Sequence, residues 1–120
     1  YAVIRVVPDV ERDERINVGV VLFCRRRKFL AARTHVREER LAALAPRLAC
    51  DDVRPHLGVI EALAAGDESR GGPLSREPQS ERFGWICAPS STVLQPGPVH
   101  TGMTGDPQAT LDRLFARLVD

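Results

Sequence analysis

Two side chains in this sequence are of the kind that moves protons. Glu14 lies inside the charged run Glu11-Arg12-Asp13-Glu14-Arg15, and His100 lies inside Pro98-Val99-His100-Thr101-Gly102. A catalytic carboxylate needs a second group opposite it. An imidazole, with an unperturbed pKa near ~6.5, suits that role. Each residue also has an ordinary explanation. Glu14 can pair in water with Arg12 or Arg15 for ~0–1 kcal/mol, and His100 can bond to nearby loop backbone. Asn17 and Gly19 follow the charged run at once. A strand glycine marks a bulge or a close approach by another backbone or a ligand, and a buried asparagine must find partners for its amide. The expected arrangement has Asn17 tying down the 9–15 connection and Gly19 making room for a packed helix or for Trp85; the alternative makes them the floor of a pocket. Arg82, Trp85 and Gln95 complete the candidate ligand-binding set. Arg25-Arg26-Arg27-Lys28 is the one dense run of cations, read as a solvated hairpin tip or, alternatively, as an interaction patch.

Several familiar machines are missing. The sequence has no G-x-x-x-x-G-K-[ST] loop, no G-x-G-x-x-G and no G-x-S-x-G elbow. His35, His56 and His100 lack metal-ligand spacing, and neither His35 nor His100 is followed by the residues of an H-x-[ST] signature. Cys24, Cys50 and Cys87 are odd in number and far apart, which points to reduced thiols rather than to a disulfide framework or a zinc site. No metal and no cofactor is implied.

The elements that must position these residues are legible in the pattern. Residues 2–7 read as a strand closed by Pro8. Residues 16–24 read as the central strand, with Ile16, Val18, Val20, Leu22 and Cys24 on one face and Asn17, Gly19, Val21 and Phe23 on the other. Both faces are apolar enough to be covered. Four cations then connect to an antiparallel return over 29–36. Leu41, Leu44, Ala45 and Leu48 have helical spacing up to a break at Pro46. A second helix starts at Asp51 or Asp52, presents Val53, Leu57 and Ile60, and stops at Gly66. Residues 66–80 read as a polar surface loop, and Thr92–Gln95 as a fourth strand. Asp106 and Pro107 open a closing helix with the stripe Leu111, Leu114, Phe115, Leu118.

With 120 residues, 43% hydrophobic and 28% charged, the chain is expected to form one domain spanning 1–120, without a membrane span. The net charge of +1 is unevenly spread. Residues 1–50 hold eleven Lys and Arg against six acids, and residues 51–120 hold six against ten. A dipolar chain of this kind can attract a charged partner or pair its own halves.

Two segments resemble a small bacterial family known only as domain of unknown function number three thousand and thirty-seven. One is Tyr1 to Cys24, with Arg5, Pro8, Glu11-Arg12, Glu14 and Asn17-Val18-Gly19-Val20. The other is Arg82-Phe83-x-Trp85, then Ser91-Thr92-x-x-Gln95 and Pro98 to Gly102. The sequence departs from that pattern at Arg15, where an aromatic is expected, and at Ser90, where an arginine is expected. The resemblance implies a compact α+β protein with no established chemistry, often encoded beside a HipA-like kinase. The expected fold is α+β, an antiparallel sheet of about four strands with three helices mainly on one face. The expected function is that of a cytoplasmic, non-enzymatic accessory module for a protein partner such as that kinase. The second possibility is a ligand-binding protein or enzyme with a polar cleft beside the central strand, built from Glu14, Asn17, Arg82 and His100. Nucleic-acid binding through Arg25–Lys28 with Arg33 and Arg37 ranks last, since only 5% of residues are aromatic and no recognition motif is present.

Overall fold

The computed structural model describes residues 1–89 and 92–120; Ser90 and Ser91, including the second departure from the family pattern, lie outside the described residues. Four strands, β1 (Ala2–Val6), β2 (Ile16–Cys24), β3 (Phe29–Thr34) and β4 (Leu94–Pro96), form one antiparallel sheet in the order β3-β2-β1-β4. The helices are α1 (Glu38–Leu44), α2 (Cys50–Ala65), α3 (Glu68–Gly71), α4 (Gln79–Ile86) and α5 (Pro107–Leu118). The α+β fold with four antiparallel strands matches the expectation. The described helices number five rather than three.

The two extra helices come from residues 66–86, much of which was expected to be loop. Polar side chains hold this segment in helical turns. The Asp67 carboxylate accepts from the Ser69 backbone N–H at 3.0 Å, Arg76 donates to Glu68 at 2.6 Å, and a 3-10 turn at Pro73–Arg76 buries Ser75. Such side-chain bonds to local backbone carry no hydrophobic periodicity, so the pattern of apolar residues does not reveal them. The other expected boundaries hold more closely. Helix α1 ends just before Pro46, where Ala45 donates to the Leu41 carbonyl. Gly66 closes α2 in the left-handed conformation, at φ 77°. Asp106 caps α5 by accepting from the Ala109 N–H at 3.0 Å. Helix α2 begins slightly earlier than expected, with Asp52 in its first turn accepting from the Ala49 N–H.

The sheet is covered on both sides. One core joins Ile4, Val6, Val18, Val21 and Leu30 to Leu41 of α1 and Val53 and Leu57 of α2. The other joins Val20 and Leu22 to Leu111, Leu114 and Phe115 of α5. Alternate residues of β2 therefore serve opposite cores, and α5 lies across the face away from α2.

A bulge changes which residues share a face. Ile4 of β1 pairs with Gly19, but Arg5 pairs with Asn17, leaving Val18 as an extra residue in β2. The period of two is broken there. Ile16 and Val18 join Val21 on the α2 face, while Asn17 joins Val20 and Leu22 on the α5 face. Asn17 and Gly19 are thus on opposite faces, not on one face as uninterrupted alternation predicts. Gly19 faces Thr34 of β3. A Cβ added there meets Thr34 Cγ2 at 2.9 Å and the Arg33 carbonyl oxygen at 3.2 Å. The neighbour that Gly19 admits is a threonine methyl and a strand backbone, not a packed helix or Trp85, because the glycine pairs directly with Thr34 across the sheet.

Gly19→Val is expected to destabilise the protein by ~1–3 kcal/mol through overpacking. Urea unfolding checks this, and a variant as stable as the parent would place Gly19 in open space.

Candidate functional site

Two of the candidate ligand residues are clamps on helix ends. The last carbonyls of a helix have no partner within it. Asn17 Nδ2 donates to the Leu118 carbonyl at the end of α5, at 3.0 Å. Arg40 reaches the next carbonyl, that of Val119, at 3.4 Å. Asn17 therefore fixes α5 to β2, and does not tie down the 9–15 connection. Arg82 does the same for α2. Its Nη1 donates to Leu63 O at 3.0 Å and to Ala64 O at 2.8 Å, and its Nε donates to Glu77 O at 2.8 Å. A cation at a helix C-terminus also interacts favourably with the helix dipole.

Glu14 and His100 do not converge. Glu14 is exposed before β2 and accepts from Arg12 Nε. His100 lies near the other end of β2, beside Tyr1. The two residues exchange backbone hydrogen bonds of 2.7 Å, and their rings stack at 5.2 Å. Tyr1 stands next to Ala2, which pairs with Val21. The run from Asn17 to Leu22 alone spans about 17 Å at the usual strand rise. No proton can pass between Glu14 and His100 within hydrogen-bond reach. Gln95 is occupied locally, donating to Thr92 O at 2.9 Å. The polar cleft expected from Glu14, Asn17, Arg82 and His100 does not form.

A different cleft forms at the hairpin end of the sheet. It encloses about 530 Å³, within the range of small-molecule sites. Leu22, Phe23, Phe83 and Leu114 give it apolar walls, and Arg25, Arg26 and Arg113 add cations. Residues 99–104, including His100, form one side. The hairpin is as expected, with Cys24 paired to Phe29 and the exposed Arg25–Lys28 turn between them. Arg113, Phe83 and Thr101 were not foreseen as partners of this hairpin. They come from α5, α4 and the loop before α5, and only the tertiary fold gathers them. The signal available in the sequence was the Pro98–Gly102 stretch itself, which carries His100 and Thr101.

Arg33 and Arg37 are engaged elsewhere. Arg33 pairs with Asp112 at 3.1 Å and lies 4.3 Å over the Phe115 ring, and Arg37 pairs with Asp120 at 3.0 Å. They do not extend the hairpin cations into a continuous basic surface.

Trp85 is 60% exposed, on the α2 side of the sheet. It borders a hollow of about 230 Å³ with Val59, Ile60, Leu63 and Leu94. Glu81, one turn earlier on α4, has its carboxyl pKa raised by a hydrogen bond with Glu77 and by that neighbour's charge. All three cysteines are free and partly buried. Burial pushes the Cys87 thiol up to about 11. Among the described residues no group of three or more His, Cys, Asp or Glu side chains is placed to hold a metal ion, and no helix is long and apolar enough to cross a membrane.

These features define a small α+β protein that has an apolar, cation-rimmed cleft and in which Glu14 and His100 do not form an acid–base pair. The chain belongs to the family of proteins of unknown function designated DUF3037, whose model matches residues 1–119. No curated protein and no solved structure matches it.

Asn17→Leu and Arg82→Met each leave helix carbonyls without their donors. Each is expected to lower stability by ~1–3 kcal/mol, measured by chemical denaturation. Unchanged midpoints would mean that water replaces the clamps at no cost. The Cys87 thiol gives a pH dependence. Its pKa is higher folded than unfolded, so the native state holds its proton where the unfolded chain, near 9.0, has lost it. Stability is therefore lost between about pH 9 and 11. Cys87→Ala is expected to show a shallower loss across that window in thermal melts. An identical slope would assign the loss to other groups.

Proposed function

We propose that this protein is a non-enzymatic interaction module that docks a protein partner through Trp85. The observation that carries this is the 60% exposure of that indole above an apolar hollow. Tryptophan is highly buried on average in folded proteins, and exposed aromatic anchors of this kind dominate interface energies. Glu81 lies one turn before Trp85 on α4 and hydrogen-bonds with Glu77, so the docking segment that fits carries a cation beside an apolar side chain. A cation could also lie over the indole face. The partner implied by the family resemblance is a HipA-like kinase, and a cytoplasmic location goes with it. The separation of Glu14 from His100 weighs against an enzyme. The engagement of Arg33 and Arg37 in ion pairs weighs against a nucleic-acid surface.

The test is calorimetric titration of the purified protein with a purified HipA-like kinase from the same organism. Trp85→Ala is expected to weaken binding about tenfold or more, a change of ~1.4 kcal/mol, with an unchanged melting temperature. Equal affinity of variant and parent, or no measurable binding by the parent, overturns the proposal.

A further inference from the structure

We propose that the cleft at the hairpin end of the sheet binds a small amphipathic anion, an acyl or aryl body ending in a carboxylate or a phosphate. This site is distinct from the docking surface at Trp85. Helix α4 gives Phe83 to the cleft and Trp85 to the hollow.

Three observations converge on that class of ligand. The first is size and shape. A half-enclosed space of about 530 Å³ suits a small molecule rather than an extended polypeptide. The second is the lining. Leu22, Phe23, Phe83 and Leu114 present apolar surface, and no acidic residue lines the cleft among the described residues. Met103, fully exposed, and Val99, 51% exposed, stand at the rim, where a bound hydrocarbon body would cover them. Methionine adapts its shape to such bodies.

The third observation is charge. Among the described residues Arg25, Arg26 and Arg113 line the cleft and form no ion pair, whereas Arg12, Arg33, Arg37, Arg54 and Arg76 each pair with a carboxylate. Cations left without acids around an apolar pocket favour an anionic head group. Guanidinium groups bind carboxylates and phosphates with paired N–H donors. The Thr101 hydroxyl, also in the lining, offers a further donor.

The experiment is calorimetric titration with decanoate, decyl phosphate, decyltrimethylammonium and inorganic phosphate, all below micelle-forming concentrations. Saturable binding of decanoate, decyl phosphate or both is expected, and the preference between them assigns the head group. Decyltrimethylammonium and inorganic phosphate should bind at least tenfold more weakly. The double variant Arg26→Ser, Arg113→Gln should weaken the anion about tenfold or more. Both arginines are exposed, so its melting temperature should stay near the parent's. Arg117→Gln, which removes an exposed charge outside the cleft, should bind as the parent does. The proposal is overturned if neither decyl anion saturates, if the cationic amphiphile or inorganic phosphate binds as tightly, or if the double variant binds unchanged. Binding of an acidic peptide with no binding of either decyl anion also overturns it.

Discussion

Everything in this fold depends on β2 being buried on both faces. Like β3, it touches both helical layers, and it also pairs with both β1 and β3. Val20 and Leu22 serve the α5 side, and Val18 and Val21 serve the α2 side. A strand that builds two cores must present apolar side chains in both directions, and INVGVVLFC does so. The bulge at Val18 then directs one polar residue, Asn17, towards α5. Without that extra residue, strict alternation would turn Asn17 towards α2 and leave the end of α5 without its donor.

The second recurring solution is at the helix ends. Helices α2 and α5 both finish against the rest of the protein, where their last carbonyls need donors. Arg82 supplies them for α2, and Asn17 and Arg40 for α5. These contacts bridge elements far apart in the chain. They explain why polar residues with the look of a site perform structural work, and why the site lies elsewhere.

Charge placement separates structural from available cations. Arg33 lies over Phe115 and pairs with Asp112, so it packs α5 onto β3. Among the described residues the arginines of the hairpin tip meet no such acid. Exposed tip charges discourage edge-to-edge association of strands, and two of them, Arg25 and Arg26, also line the apolar cleft.

The strands, the hairpin, the capped closing helix and the α+β class follow from the sequence alone. Their causes are local: β-branched alternation, four cations between two strands, Asp106 followed by Pro107, and Gly66 after an apolar stripe. The helical turns between 66 and 86 were hidden because polar bonds such as Asp67 with Ser69 hold them, with no apolar period to announce them. The face on which Asn17 lies was decided by pairing register, since a bulge exists only between two strands, and Gly19 marks an irregularity without saying which residue is extra. The cleft was decided later still. Tyr1, Phe23, Phe83, Thr101 and Arg113 belong to five separate segments. Their meeting depends on how α4 and α5 settle on opposite faces of the sheet. That settlement is fixed by packing of whole elements, and no spacing within the chain encodes it.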